Sequence, residues 1–131
     1  MEQQQMMQQY QQLQQEIEEI QEYLKQVDQS RENVEETVKA VKDLENVEEG
    51  DEILAPVGKG TFVTAEIQET GKVVTNIGGD TYQERDNQEA VKALEKEEEQ
   101  LLETEEDLEE NLQELQQQLQ QIQMQMQEQR E

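Results

Sequence analysis

The chain has 131 residues, of which 31% are hydrophobic and 3% aromatic, and its formal net charge is -24 from 34 acidic and 10 basic side chains. This charge disfavours nucleic acid and anionic membranes as partners. Cysteine and histidine are absent, which excludes disulfides, thiolate chemistry and most transition-metal sites. No apolar run reaches the length of a membrane span and the start lacks a signal-peptide pattern, so we expect a cytoplasmic protein.

Apolar residues recur at alternating spacings of three and four in the first third of the chain, which predicts a helix from about Gln3 to Val47. The stripe consists of Met6, Tyr10, Leu13, Ile17, Ile20, Leu24, Val27, Val34, Val38 and Val41. Arg31 occupies one position where an apolar residue is expected. A repeat of 3.5 residues kept over about five heptads is typical of a coiled coil. Gly50 is predicted to close this helix in a left-handed conformation.

The central block is rich in Gly, Val and Thr and predicts two β-hairpins. Strands at 52–57 and 61–67 are joined by a glycine-containing turn, and strands at 72–77 and 80–84 are joined at Gly78-Gly79. Pro56 places the first strand at an edge or a bulge. Such short strands bury too little apolar surface to be stable alone, so we expect them to pair with other chains. The residues predicted to build that interface are Ile53, Leu54, Val57, Phe62, Val63, Ala65, Ile67, Val73, Val74, Ile77 and Tyr82.

A second stripe predicts a helix from about Asp86 almost to the C-terminus, with Asp86 and Glu89 forming a capping-box-like pair. The stripe consists of Val91, Leu94, Leu101, Leu108, Leu112, Leu115, Leu119, Ile122 and Met126, with Glu98 and Glu105 as interruptions. Because the hairpins return the chain, the two helices are predicted to pack antiparallel. The predicted fold is mainly α with a small β part, in one domain over residues 1–131: a coiled-coil helix at 1–49, two hairpins for oligomerisation at 50–85, and a coiled-coil helix at 86–131.

The polar interruptions predict how the two helices are aligned. If Tyr10 faces Ile122, then Arg31 faces Leu101 and lies between the layers that hold Glu98 and Glu105. The guanidinium can then pair with either carboxylate, and a single polar layer of this kind fixes the register at some cost in stability. The alternative is that Arg31 extends out of the interface into water.

Like-charged residues also stand four apart in the helices, at Glu18 and Glu22, Glu95 and Glu99, and Glu106 and Glu110. Each such pair costs a few tenths of a kcal/mol at low salt. One interpretation is adaptation to a salty cytoplasm, where charges are strongly screened. The other is a solvated face that resists aggregation, and the sequence leaves both open.

The central segments Ile53-Leu-Ala-Pro-Val-Gly-Lys-Gly-Thr-Phe-Val-Thr-Ala-Glu-Ile67 and Val73-Val-Thr-Asn-Ile-Gly78, set between two long helices, resemble the archaeal prefoldin alpha subunit. The resemblance covers essentially the whole chain. It implies a hexamer of two alpha and four beta subunits, whose hairpins build a double β-barrel that carries six coiled coils. It also implies that the coiled-coil tips hold unfolded polypeptides and pass them to a group II chaperonin without nucleotide. The heavy acidity and the Gln-rich ends depart from the family pattern.

Residues 3–15 and 115–127 contain no charged side chain, and antiparallel helices bring these two segments together. Met7 and Met124 fall outside the stripes and are predicted to face water. Methionine adapts to many apolar surfaces, which favours a client-binding role. The predicted client-binding residues are Met6, Met7, Tyr10, Leu13, Leu119, Ile122, Met124 and Met126. The alternatives are that these residues only complete the stripe, or that the Gln runs are aggregation-prone low-complexity sequence.

Three classes of function remain: a client-holding chaperone subunit, a structural or adaptor coiled coil, and an enzyme. The glycines form no phosphate-binding motif and the acid runs contain no calcium-loop pattern, so we expect neither cofactor nor metal and disfavour an enzyme. A spacer needs only a short loop between its helices. Two hairpins with open edges therefore favour the chaperone subunit.

Overall fold

The computed structural model describes residues 2–130. Its elements are α1 at Glu2–Asp43, a 3-10 helix at Leu44–Asn46, β1 at Glu52–Gly58, β2 at Thr61–Glu66, β3 at Lys72–Gly78, β4 at Thr81–Asp86 and α2 at Asn87–Arg130. The predicted fold class, two long helices joined by two hairpins, is confirmed. Within residues 2–130, neither helix carries an apolar stretch that would cross a bilayer. The chain divides into two compact units, Met1–Glu32 with Glu99–Glu131, and Asn33–Glu98.

The first unit is an antiparallel pair of helical segments. Ile17 and Val27 are buried, and the remaining stripe positions of both segments are half-buried. Gln129 Nε2 donates a hydrogen bond to Glu2 Oε2 at 3.2 Å, so the start of α1 lies beside the end of α2. Each helix buries one narrow face, which is why a chain with so few apolar residues can still pack as a coiled coil.

In the second unit, the adjoining helical segments pack in the same manner. Val34, Val41 and Ala90 are buried. Lys42 Nζ lies 3.9 Å from Glu95 Oε1, but both side chains are more than half exposed, so solvent screens this ion pair. The apolar contacts of the stripe, rather than the ion pair, hold these segments together.

The first hairpin pairs β1 with β2 antiparallel, from Glu52 opposite Glu66 to Pro56 opposite Phe62. The register shifts between Pro56 and Gly58, and β1 belongs to a two-stranded sheet, so the structure shows both settings predicted for Pro56, an edge and a bulge. Gly60 has a φ of 68°, and the turn depends on its freedom to adopt this left-handed conformation.

The second hairpin pairs β3 with β4 antiparallel and contains a register shift between Asn76 and Gly78. The Asn76 side chain accepts a hydrogen bond from the Gly78 N–H at 2.9 Å, which stabilises the turn locally. The two hairpins form two separate two-stranded sheets. The strands end within two residues of their predicted limits, β4 running on to Asp86 rather than ending at residue 84.

The α-helix ends four residues before the predicted Val47, and the 3-10 helix at Leu44–Asn46 follows it directly. The α-helix stops at Asp43, and Val47 is extended with φ -111° and ψ 138°. The Asp51 carboxylate accepts a hydrogen bond from the Glu48 N–H at 2.9 Å, which offers the backbone an alternative to the helix. Gly50 does have a positive φ of 90°, but it lies in this turn, where its N–H donates to the Ile67 carbonyl at 2.8 Å, and does not cap the helix.

The start of the second helix agrees with the sequence to within one residue. The Asp86 Oδ1 accepts a hydrogen bond from the Glu89 N–H at 2.8 Å, as an N-cap does. The Asn87 Nδ2 donates to the Thr70 carbonyl at 2.6 Å, and the Asn87 N–H donates to the Gly71 carbonyl at 3.2 Å. These bonds tie the first turn of α2 to the connection that leads into β3.

Candidate functional site

The two uncharged segments, residues 3–15 and 115–127, lie side by side in the first unit, and we call them the tip. Gln123 Nε2 donates a hydrogen bond to the Tyr10 hydroxyl at 2.9 Å across the helix pair. Gln123 follows Ile122, the residue predicted to face Tyr10. The hydrogen bond therefore brings Tyr10 to the residue next to its predicted partner.

Two open grooves flank the apolar stripe at the tip. One is lined by Met7, Tyr10, Gln123, Met126 and Gln127. The other has Leu13 and Ile122 surrounded mainly by glutamines, namely Gln9, Gln12, Gln118, Gln121 and Gln125, with Glu16 at its margin. Each groove therefore offers apolar side chains together with amides that both donate and accept hydrogen bonds.

The eight predicted client-binding residues differ in exposure. Met7 and Met124 are 43% and 63% exposed, which agrees with their predicted position outside the stripe. Met6, Tyr10, Leu13, Leu119, Ile122 and Met126 are half-buried. The half-buried residues are partly occupied by packing between the helices, so Met7 and Met124 have the most sulfur-bearing surface available for contact with another molecule.

The polar interruption of the stripe has a defined geometry. Arg31 Nη1 donates to Glu105 Oε2 at 2.6 Å, and both side chains are 23% exposed. A short charge-assisted bond between partly buried groups is stronger than one between neutral groups. This arrangement favours the predicted polar layer over an Arg31 side chain that extends into water. Glu98, the other predicted member, is half-buried.

The hairpins in the second unit carry a second set of exposed apolar side chains. The exposed members are Ile53, Leu54, Val57, Phe62, Val63, Val74, Ile77 and Tyr82, while Ala65, Ile67 and Val73 are half-buried. Leu54 and Val74 reach 68% and 64% exposure. Two-stranded sheets with this many exposed apolar side chains and with unpaired edges are marginally stable alone, and such side chains are typical of interaction sites.

A model of the family described as prefoldin subunits matches residues 4–131. The chain belongs to the prefoldin family. This confirms the family that the central segments and the paired helices predicted.

Several archaeal relatives are prefoldin alpha subunits. The subunit of Methanococcus maripaludis strain C5 is 36% identical over 61 residues, which cover 47% of this chain and 42% of the relative. The subunit of Thermofilum pendens is 37% identical over 59 residues, which cover 45% of this chain and 46% of the relative. The aligned segments thus span less than half the length of these relatives.

A solved prefoldin structure shares the fold. The structure is a cryo-EM structure of filamentous PFD from Methanocaldococcus jannaschii, and it matches with a TM-score of 0.80 at 24% identity over 88% of this chain and 95% of that chain. At this identity the match supports the arrangement of helices and hairpins and nothing finer.

Two exposed apolar side chains and one apolar pocket were not predicted from the sequence. Tyr23 and Leu102 are 53% and 38% exposed. Each is the neighbour in sequence of a stripe residue. The heptad pattern predicts burial for the stripe positions only, so it makes no prediction for these two side chains. The pocket lies in the second unit and is lined by Val41, Lys42, Glu45, Asn87, Gln88, Val91 and Lys92. Val41 and Val91 belong to the predicted stripes. The pocket was not predicted because it forms only where the end of α1 meets the start of α2.

Proposed function

We propose that this prefoldin chain is the alpha-type subunit of a cytoplasmic, ATP-independent chaperone that holds unfolded polypeptides at its tip and delivers them to a group II chaperonin. The observation that carries the proposal is the exposure of Met7 and Met124 on an uncharged surface, in a chain whose net charge is -24. An unfolded client presents apolar side chains and unpaired backbone amides. The methionines can contact the apolar side chains of the client, and the glutamine amides can form hydrogen bonds with its backbone.

The absence of charge at the tip bears directly on binding. A carboxylate placed against an apolar client segment must be desolvated without a partner, which is unfavourable. Residues 3–15 and 115–127 avoid this cost because they contain no Asp, Glu, Lys or Arg. Thioether side chains are flexible and polarizable, so one surface can contact clients of different shape.

Weak contacts at one tip are compatible with effective holding when several tips act together. Linked sites raise the overall avidity without any new contact, and each separate contact stays weak enough to release. This requires assembly. We propose that the exposed hairpin residues pair with other prefoldin subunits, in a hexamer of two alpha-type and four beta-type chains.

The proposal is tested by removing the tip from the assembled protein. A complex whose alpha-type chains lack the residues before Leu13 and after Leu119 is compared with the intact complex for suppression of client aggregation. We expect the truncated complex to assemble to the mass set by its subunit count and to lose suppression. Full suppression by the truncated complex would refute the assignment of client binding to this chain's tip and would support a structural or adaptor coiled coil instead.

A finer test replaces the exposed thioethers without shortening the helices. Met7→Gln with Met124→Gln is expected to weaken suppression, because glutamine keeps the helix and the length of the side chain but removes the apolar contact. Tyr23→Gln is the matched control, since it removes a similarly exposed apolar side chain from the charged part of α1. An equal loss in both variants would mean that general surface hydrophobicity, rather than the tip, holds the client.

A further inference from the structure

Among the residues that the structure describes, sulfur occurs only near the start of α1 and near the end of α2. The sequence contains five methionines, Met1, Met6, Met7, Met124 and Met126, and no cysteine. Met1 lies outside the residues that the structure describes. Of the other four, Met7 and Met124 are exposed, whereas Met6 and Met126 are half-buried in the apolar stripe.

The tip therefore carries both exposed and half-buried thioethers, which differ in their access to a dissolved oxidant. Oxidation of a thioether requires that the oxidant reach the sulfur, so exposed methionines react before packed ones. No thiol is present in the chain to consume the oxidant first. Met7 also shares a groove with Tyr10 and Met126, so a change at its sulfur alters the surface of that groove directly.

We propose that Met7 and Met124 are sites of reversible oxidation by peroxides, and that their oxidation weakens the tip for apolar clients. The second part rests on the proposed holding function, whereas the assignment of the two sites does not. Apart from the half-buried Met6 and Met126, no described side chain at this surface offers comparable two-electron chemistry, because the flanking residues are mainly glutamines.

The chemical step is an oxygen transfer to sulfur. A sulfur lone pair attacks one oxygen of hydrogen peroxide, the S–O bond forms and the O–O bond breaks. The proton on the transferred oxygen passes to the departing hydroxide, which leaves as water. The sulfur is oxidised by two electrons to the sulfoxide and the peroxide is reduced by two, so no further reactant is needed.

The product changes the tip without breaking the helix pair. A sulfoxide is polar and chiral, and it disrupts contacts that depended on the apolar thioether. Because Met7 and Met124 lie outside the stripe, their oxidation leaves the packing of Leu13, Leu119 and Ile122 in place. The expected result is a loss of client contact with the helices still paired. A sulfoxide reductase can reverse the change.

The site assignment is tested on the full chain by a peroxide time course followed by peptide mass measurement. Each sulfoxide adds about 16 Da, and we expect Met7 and Met124 to oxidise about threefold faster than Met6 and Met126, in line with their greater access. Equal rates at all four methionines would overturn the assignment. Circular dichroism at each time point shows whether the helix content is retained.

The consequence is tested by quenching the peroxide, assembling the oxidised chain with untreated partner subunits, and measuring suppression of client aggregation. We expect suppression to fall as the two sulfoxides accumulate and to return after treatment with methionine sulfoxide reductases. Each variant is compared with its own untreated sample. Met7→Leu with Met124→Leu should show no loss after peroxide, while Met6→Leu with Met126→Leu should still lose suppression.

Two outcomes contradict the consequence: full suppression by the oxidised wild-type chain, or an undiminished peroxide effect in Met7→Leu with Met124→Leu. Failure of the untreated complex to hold any client would instead refute the proposed function and, with it, the effect on clients. The mass measurement would then still decide whether Met7 and Met124 are the preferred oxidation sites.

Discussion

The ion pair between Arg31 and Glu105 is a polar contact inside a stripe that is otherwise apolar. Its 2.6 Å separation and the 23% exposure of each side chain place it between a buried and a surface pair. Such a pair contributes little net stability, because the cost of desolvating both charges offsets their attraction. We expect its stronger effect to be on misaligned states, in which the two charges would be separated and would face apolar side chains.

Replacing Arg31 should therefore have opposite effects on the stability of the helix pair and on the precision of its register. We expect Arg31→Leu to raise the free energy of unfolding by about 1 kcal/mol while permitting additional registers of the two helices. Thermal melting measures the first effect. Engineered disulfides measure the second, since the chain has no native cysteine.

Two cysteine pairs distinguish the registers in that experiment. Leu24→Cys with Leu108→Cys reports the predicted alignment, and Leu24→Cys with Leu115→Cys reports a shift of one heptad. In the Arg31→Leu background, we expect the shifted pair to cross-link in addition to the predicted one. Lys25→Gln, which removes a cation from the exposed face of the same helix, should leave the pattern unchanged. An identical cross-linking pattern with and without Arg31 would argue against a register function.

At the scale of elements, the hairpins are the least self-sufficient part of the chain. Each is a two-stranded sheet, and a sheet of two strands is marginally stable in water. The helices have a continuous stripe to bury, whereas the hairpins expose most of their large apolar side chains. We therefore expect substitutions in the hairpins to affect assembly before they affect helix content.

Leu54→Glu and Val74→Glu test this expectation. Burying each of these side chains in a subunit interface should contribute about 1.5–3 kcal/mol, so each substitution should weaken assembly by about tenfold or more. Native mass measurement reports the assembled fraction, and circular dichroism reports helix content. Tyr23→Glu places the same charge at an exposed apolar position on α1 and should assemble normally. Unimpaired hexamers from the hairpin variants would exclude these side chains from the interface.

At the scale of the whole molecule, charge repulsion is the dominant electrostatic effect. The chain has 34 acidic and 10 basic side chains, and acids repeat at four-residue spacing in both helices. Salt screens this repulsion between exposed charges. It also weakens the attraction in Lys42–Glu95, but acids far outnumber the cations available to pair with them.

We expect the melting temperature to rise by about 3 °C between low salt and roughly 0.5 M sodium chloride, since relief of about 1 kcal/mol of repulsion produces a shift of this size. Melting in a chloride series measures it, because sulfate would strengthen apolar burial as well. Glu106→Gln with Glu110→Gln should flatten the salt dependence. A melting temperature that does not respond to chloride would rule out adaptation to salt and leave the solvated-face interpretation.

The sequence by itself determined the features that depend on residues close together in the chain. The spacing of Leu108, Leu112 and Leu115 predicts a helix face whatever it packs against, and Pro56 predicts an edge or a bulge because it cannot donate to a strand ladder. The absence of charge in residues 3–15 and 115–127 can be read directly from the sequence. These are properties of neighbouring residues, so no distant contact is needed to predict them.

Only the tertiary structure decided the features that depend on distant residues. The sequence placed Glu98 and Glu105 within reach of Arg31, and only the structure shows the bond between Arg31 and Glu105, which are 74 positions apart. The structure also shows that α1 ends at Asp43 and that Met7 and Met126 line one groove. It shows the hydrogen bond from Asn87 to the Thr70 carbonyl as well. The physical reason is that a periodic pattern specifies which face of an element is buried, whereas the atoms that meet across that face depend on how the elements are placed in space.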